Sequence, residues 1–394
     1  MSGDCAFLAP GLLGEDDAAA RLERFLSGYW RRRPLLLPGA LEGFEIPLDG
    51  DELAGLACEP EADARIVRST VDGYVLEQGP FDPARFATIG DRDWTLLVNG
   101  VDLAVPGFEP LLDAVRFAPD WRLDDVMVSF AAPGGSVGPH LDRYDVFLLQ
   151  AEGTRRWELG PDPAEERRPL VERGGLALVE DFLPRRSERC GPGDGLYVPA
   201  GCVHHGIAET PSLTLSIGFR APTLADLVDD WTLGRIELLP TLPMDLDPPL
   251  PTNPALLAPE TVAAARAALR AALLAGLDDT DFVRRLGALL TEAGRGARFF
   301  EPDPLTAPEL AAELAAGALL ERAPGVRLLL WADPAHTLIF AAGQCHETHA
   351  AAAALEPLTR LTPLGARDLT DAATLEAAAE LYNRGLLLLT EPGS

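Results

Sequence analysis

The chain has 394 residues, 47% of them apolar and 24% charged, the composition of an ordinary globular protein and, at about 150 residues per domain, of two or three domains. Its 61 acidic against 33 basic residues leave a formal net charge of -28, a field that repels nucleic acid and anionic membrane and attracts a basic partner. All 33 basic residues are arginines, which excludes chemistry that needs an amine: Schiff bases, a pyridoxal phosphate anchor, the lysine of a P-loop.

Residues 1–93 read as helix and strand segments that flank a core. Ala20, Phe25, Leu26 and Trp30 keep near-helical spacing, and Arg31 to Pro34 end that helix before an extended Leu35-Leu36-Leu37. Asp51 stands as the N-cap of a helix through Cys58, and short strands follow as far as Gly79. Residues 94–222 form the core: short apolar segments separated by Gly, Pro and Asp, the pattern of a β sandwich or barrel. Residues 223–258 read as a proline-rich connection, with LPTLPMDLDPPLPTNPALLA at 239–258 marking a domain boundary. Residues 259–300 are Ala-, Leu- and Arg-rich, with Val262, Ala265, Leu269 and Leu273 on one helical face and a break at Asp278 to Asp281, a helical hairpin suited to dimerisation. Residues 301–394 read as helix, a strand pair (Val326 to Trp331, Thr337 to Ala341) about the turn Asp333-Pro334, more helix, and a last strand at Leu386 to Leu389. That order suggests a winged-helix-like unit whose scarcity of arginine argues against DNA binding. The fold class is α+β with a mainly β core.

Five scattered cysteines (Cys5, Cys58, Cys190, Cys202, Cys345) never form a C-x-x-C pair, so neither a disulfide framework nor a structural zinc site is expected. The acidic N-terminal region is unlike a targeting peptide, and no stretch reaches the roughly 20 apolar residues of a membrane span. A cytoplasmic protein with no membrane partner is expected.

The six histidines carry the chemical signal. His140 lies in GPHLDRYDVF, and His204 and His205 lie in GDGLYVPAGCVHHG. His140 and Asp142 stand two apart on what reads as a strand, so both side chains leave one face and can hold one ion. His204, following Pro199 and Gly201, supplies a third ligand. Two histidines and one carboxylate leaving open positions are the ligand set of the non-haem iron(II) oxygenases. His205 competes with His204 for the third place. An isolated H-x-D is more often a plain hydrogen bond, and it is the pairing with the second element that raises the metal reading.

In Thr154 to Leu159, Arg155, Trp157 and Leu159 share a face that is otherwise apolar and therefore inward, while Arg156 and Glu158 face out. A guanidinium carried into a barrel must meet an anion. Either it pairs with a structural Asp or Glu, or it forks onto the carboxylate of a chelating 2-oxo acid that completes the iron site, which points to 2-oxoglutarate. Thr214 or Ser216 in LTLSIGF is placed to add a hydroxyl to the same carboxylate.

Several stretches closely resemble the bacterial JmjC-type ribosomal oxygenases. They are Pro119-Asp120-Trp121-Arg122, Met127-Val128-Ser129-Phe130, Pro133 through Phe147, and Gly218-Phe219-Arg220-Ala221-Pro222, with Tyr29-Trp30-Arg31-Arg32-Arg33-Pro34 similar to the family's opening motif. The likeness spans about the first 222 residues, and the tail by layout. It implies a JmjC/cupin double-stranded β-helix (jelly roll), a helical dimerisation region and a winged-helix domain. It further implies O2-, 2-oxoglutarate- and Fe(II)-dependent hydroxylation at C3 of an arginine in a large-subunit ribosomal protein. Iron would sit on His140, Asp142 and His204, and the cosubstrate carboxylate on Arg155. His205 stands where the bacterial members carry an acidic residue, a departure on the substrate-facing rim, and eukaryotic relatives hydroxylate histidine instead.

A zinc or manganese cupin, isomerase or decarboxylase, would carry a second histidine where Asp142 stands, and a barrel that lost turnover would not retain all three ligands and the inward arginine. Methyl-lysine demethylation would call for reader modules, and none is seen. The charge of -28 favours a basic ribosomal protein, met free before assembly, over ribosomal RNA. Tyr144, Asp145 and the pair Asp124-Asp125 are candidates to line the mouth that receives it, by nearness to the iron ligands.

Overall fold

A computed structural model describes the chain except residues 1–4, 10–11, 15–16, 72, 163–169, 221, 237, 240–258, 278, 295–296, 298 and 392–394. It divides into two compact units, Met1–Ala221 with Gly294–Val326 and Glu356–Ser394, and Pro222–Ala293 with Arg327–Leu355.

In the first unit, α1 (Ala18–Gly28) starts where the Asp17 carboxylate accepts the Ala20 N–H, and its Phe25 is fully buried. The arginine run then leads into β1 (Leu35–Leu37). Helix α2 (Gly50–Leu56) is capped by Asp49, not by Asp51. The Asp49 side chain accepts the N–H groups of Asp51 and Glu52, and Glu52 accepts the Asp49 N–H in return, a reciprocal box that Asp51 cannot make from inside the first turn. A hairpin of β2 (Ala64–Thr70) and β3 (Gly73–Gln78) follows, then α3 (Pro83–Thr88), β4 (Trp94–Val98) and α4 (Glu109–Asp113).

The barrel strands are β5 (Leu123–Ala131), β6 (Asp145–Glu152), β7 (Arg155–Leu159), β8 (Leu170–Arg173), β9 (Leu176–Val179), β10 (Arg186–Cys190), β11 (Gly195–Val198), β12 (His204–Ala208) and β13 (Ser212–Phe219). An eight-stranded sheet runs β1-β11-β6-β13-β5-β4-β2-β3, a three-stranded sheet runs β10-β7-β12, and β8 pairs with β9 in a separate hairpin. This is the jelly roll. Strand β6 is buried on both faces, and its alternation sorts the two sides: Val146 and Leu148 look into the cavity between the sheets, while Phe147 and Leu149 join the larger core. That larger core is aromatic. Trp30 stacks on Tyr197 with centroids 5.5 Å apart, and Phe25 meets the same ring edge-on at 5.0 Å, so the segment that opens the chain packs on the outer side of the large sheet.

After the barrel come α5 (Leu224–Ile236), α6 (Pro259–Leu274), α7 (Thr280–Leu290), α8 (Ala307–Ala316), β14 (Leu319–Arg322), β15 (Leu328–Ala332), β16 (Thr337–Ala341), β17 (Gln344–Thr348), α9 (Ala352–Leu355), α10 (Ala372–Asn383) and β18 (Leu387–Thr390). Helix α5 occupies the start of the stretch read as a connection, because no proline interrupts 224–236; the proline-rich residues 240–258 lie outside the described residues. Asp279 caps α7 at the predicted break, its side chain accepting the Asp281 N–H. Strands β15 and β16 pair about Asp333-Pro334 as the pattern predicts. Strands β14 and β17 were not anticipated. The sequence of β17, QCHET, has no apolar alternation, and the strand forms by pairing with β16, just as β14 forms by pairing with β18. Among the described residues no helix is long and apolar enough to cross a membrane.

Candidate metal centre

His140 is not on a regular strand. It lies in the loop between β5 and β6 and forms a single antiparallel bridge with His204, the first residue of β12: each backbone N–H donates to the other's carbonyl, at 3.1 and 2.8 Å. One bridge, rather than strand period, therefore brings the two rings together, with centroids 4.3 Å apart. Nδ1 of His140 lies 2.9 Å from the Gly138 carbonyl and Nδ1 of His204 lies 3.1 Å from that of Cys202. A carbonyl only accepts, so both Nδ1 atoms carry protons and both Nε2 lone pairs are left for an ion. Asp142 Oδ2 is 3.6 Å from His204 Nε2, and the three residues offer ligand atoms that all lie within 4.8 Å of one another. Burial, and next the neighbouring His140, depress His204 to about 4, so its ring is neutral, as ligation requires. His205 points elsewhere: its Nδ1 faces Glu158 at 3.2 Å, its Nε2 faces the Tyr74 hydroxyl at 3.5 Å, and it does not line the cavity. The position read as a rim residue is a strand-side contact.

Arg155, Trp157 and Leu159 are buried while Arg156 and Glu158 are half-exposed, the facing that alternation predicts. The Arg155 guanidinium donates to Ser129 Oγ and Ser212 Oγ, both at 3.3 Å, and its Nε has no partner. No carboxylate pairs with it among the described residues, so the structural ion pair left open by the sequence is not formed. Desolvation pulls its pKa down to about 10. The sequence pointed to Thr214 or Ser216 beside it. Thr214 instead donates to Gln150 Oε1 at 3.0 Å and does not line the cavity; Ser216 does. The two serines that do meet Arg155 are not marked by any motif, and the signal that could find them is a hydroxyl inside buried VMVSFA or SLTLSIGF. Arg155, the triad and Ser216 all open onto one cavity of about 400 Å³.

Residues 110–227 match the JmjC domain family. The chain is 34% identical over 314 residues, covering 78% of it and 82% of the relative, to the ribosomal protein uL16 3-hydroxylase of Escherichia coli. It is 33% identical over 237 residues, 58% of the chain and 57% of the relative, to a probable ribosomal oxygenase of Haemophilus influenzae. The solved structure of YcfD, a ribosomal oxygenase from E. coli, in complex with cobalt and 2-oxoglutarate superposes with a TM-score of 0.79 at 31% identity, covering 93% of this chain and 98% of that one. The chain belongs to the JmjC ribosomal oxygenases. It is a 2-oxoglutarate- and iron(II)-dependent oxygenase, and the two imidazoles and one carboxylate fit iron(II) with positions left open.

In this ribosomal oxygenase Asp124, Asp125 and Tyr144 line the cavity beside Asp142. The Asp125 carboxylate accepts the Gly100 N–H at 2.6 Å, and Tyr144 remains 40% exposed. Partial burial, then Asp142 and Asp125, push the Tyr144 phenol above its ordinary value, so it stays a protonated donor. Asp145 is a correction. It is fully buried on the aromatic side of β6, where Arg122 donates to it at 3.3 Å and the Tyr197 hydroxyl at 2.6 Å. The alternation that turns Val146 to the cavity turns Asp145 away from it. Arg65, from β2, lines the cavity and was not singled out in the sequence.

Proposed function

We propose that this oxygenase hydroxylates C3 of an arginine in the ribosomal protein uL16, with iron(II) on His140, Asp142 and His204 and the distal carboxylate of 2-oxoglutarate on Arg155. The observation that carries the reading is the buried guanidinium of Arg155, without an acidic partner, opening onto the same cavity as the three ligands. Bound iron supplies the activation of O2 coupled to decarboxylation of 2-oxoglutarate, one oxygen atom entering succinate and the other the new hydroxyl. The protein's own part is orientation: Gly138 and Cys202 hold the rings, Ser129 and Ser212 hold Arg155, and Trp157 shields it with its ring centroid 5.7 Å away. Asp124, Asp125 and Tyr144 give a cationic side chain an acidic, hydrogen-bonding entrance. The enzyme meets uL16 free in the cytoplasm, since a net charge of -28 draws a basic protein and is repelled by exposed ribosomal RNA. It acts as a homodimer through α5 and α6, a pairing supported by the exposed Leu224, Val228, Leu233 and Leu269 and by the absence of buried residues on α6.

Mass spectrometry of uL16 incubated with enzyme, iron(II) and 2-oxoglutarate tests the reading. One added oxygen on one arginine is expected, faster on free uL16 than on intact large subunits, and absent with Asp142→Ala. Hydroxylation by Asp142→Ala at the wild-type rate, or a preference for intact subunits, refutes it.

A further inference from the structure

Tyr74 has no part in the reading above, yet three segments of the site converge on it. Its ring packs on Gly138, which has φ +83°, and a Cβ at that glycine would lie 2.8 Å from the ring. Its hydroxyl lies beside the Ser136 side chain and 3.5 Å from His205 Nε2. Its carbonyl is approached by the turn of the β8–β9 hairpin, where a Cβ on Gly174 would lie 2.3 Å away.

The donors and acceptors run in one direction. The Gly138 N–H donates to Ser136 Oγ at 3.0 Å, the Ser136 side chain lies against the Tyr74 hydroxyl, and the Tyr74 hydroxyl donates to His205 Nε2. The His205 Nδ1–H then donates to Glu158. At one end the Gly138 carbonyl fixes the ring of His140; at the other His205 is bonded directly to His204 in the chain. The backbone also joins the two segments, by the His140–His204 bridge, by the Gly201 N–H donating to the Asp142 carbonyl at 2.7 Å and by bonds of Gly134 and Gly135 with Ala208; Tyr74 adds a side-chain tie to these.

We propose that Tyr74 is a positioning residue: its hydroxyl ties the 136–140 loop to His205, so that the His140 and His204 rings are held for a metal ion neither of which Tyr74 itself touches. The proposal rests on the reading of His140, Asp142 and His204 as the metal site. Outer groups of this kind orient the ligands, and their loss weakens metal binding about ten- to a hundredfold.

Titration with Co(II), followed by its visible absorption, tests this without turnover. Tyr74→Phe keeps the ring on Gly138 and removes the link, and it should weaken Co(II) by about tenfold while the thermal midpoint and the apparent affinity for 2-oxoglutarate stay at wild-type values. His205→Gln, which can accept from Tyr74 and donate to Glu158, should restore most of what His205→Ala loses. Should Tyr74→Phe fold poorly, Ser136→Ala breaks the same chain and should show the same loss. Wild-type Co(II) affinity in Tyr74→Phe or in Ser136→Ala overturns the proposal, as does a loss matched by an equal fall in thermal midpoint. A wild-type protein that takes up no Co(II), or an Asp142→Ala variant that binds it as well, would overturn the metal reading instead.

Discussion

Two buried arginines in the jelly roll show how a charge inside a protein reveals its purpose. Arg122, 9% exposed, meets the Asp145 carboxylate, lies 5.5 Å from the Trp30 ring centroid and shares Asp145 with the Tyr197 hydroxyl. Arg155, 6% exposed, meets two serine hydroxyls and no carboxylate among the described residues, while Nε is without a partner in both arginines. Desolvation lowers both pKa values, but at Arg122 Asp145 pulls the other way, and at Arg155 no carboxylate among the described residues does. A cation with its anion built in is a permanent part of the fold. A cation without one, at the wall of a cavity, is where an anion that comes and goes would bind, the role proposed above for Arg155.

The largest effect that can break this comparison is on stability. Arg122→Met leaves Asp145 buried and charged with only a phenol to answer it, and should cost about 3 to 5 kcal/mol in urea unfolding. Pairing it with Asp145→Asn should recover part of the loss. A cost below about 1 kcal/mol would mean that the buried pair is no anchor.

Arg155→Met sharpens the contrast from the other side. Removing an unpaired, desolvated cation should leave the unliganded protein as stable as before or more so. Binding of 2-oxoglutarate should weaken by about 2 to 5 kcal/mol, roughly thirty- to several-thousandfold, whereas Arg156→Ala on the outer face should cost under about 1 kcal/mol. Equal dissociation constants for the two variants in a calorimetric titration would overturn the facing of β7.

The same contrast explains what was legible in the sequence. The clustering of His140, Asp142 and His204 and the inward facing of Arg155 could be read because they are rare residue types in patterned places: three of six histidines in two motifs, and an arginine in phase with Trp157 and Leu159. Asp145 is near the metal-site loop in sequence, but the alternation that holds for β7 holds for β6 as well and turns it to the aromatic side. Ser129 and Ser212 carry little signal in the sequence because serine occurs everywhere, and only burial, of Ser129 on β5 and of Ser212 on the fully buried β13, gives either hydroxyl a meaning. The polar strand β17 was out of reach because QCHET has no apolar alternation and becomes a strand only by pairing with its neighbour β16, and the contact of Tyr74 with Ser136 because it joins residues far apart in the chain.

A third arginine completes the series with the smallest effect. Arg85 on α3 donates from Nε and Nη2 to the two Glu77 oxygens on β3, at 2.8 Å each, with about a quarter of each side chain exposed. Water reaches this pair, so its strength is that of a surface bridge even though its geometry is bidentate. Hydrogen bonding from Arg85 holds the Glu77 carboxyl below its ordinary value of 4.5, with burial working against it. The unfolded chain therefore takes up this proton before the folded one does. The pair's contribution is present in full above about pH 4.5 and disappears as the pH falls through the lowered value in the folded state. Arg85→Ala should cost under about 1 kcal/mol at pH 7, and less in high salt because exposed charges are screened within about 10 Å already at 0.1 M. Arg68 remains 3.8 Å from Glu77 and softens the loss further. Urea unfolding of wild type and variant from pH 7 down to pH 3 should show two curves converging on the acid side. A gap of about 2 kcal/mol or more, or one that stays constant across that range, would place Arg85 with Arg122 as a structural anchor and remove exposure as what separates the two classes of pair.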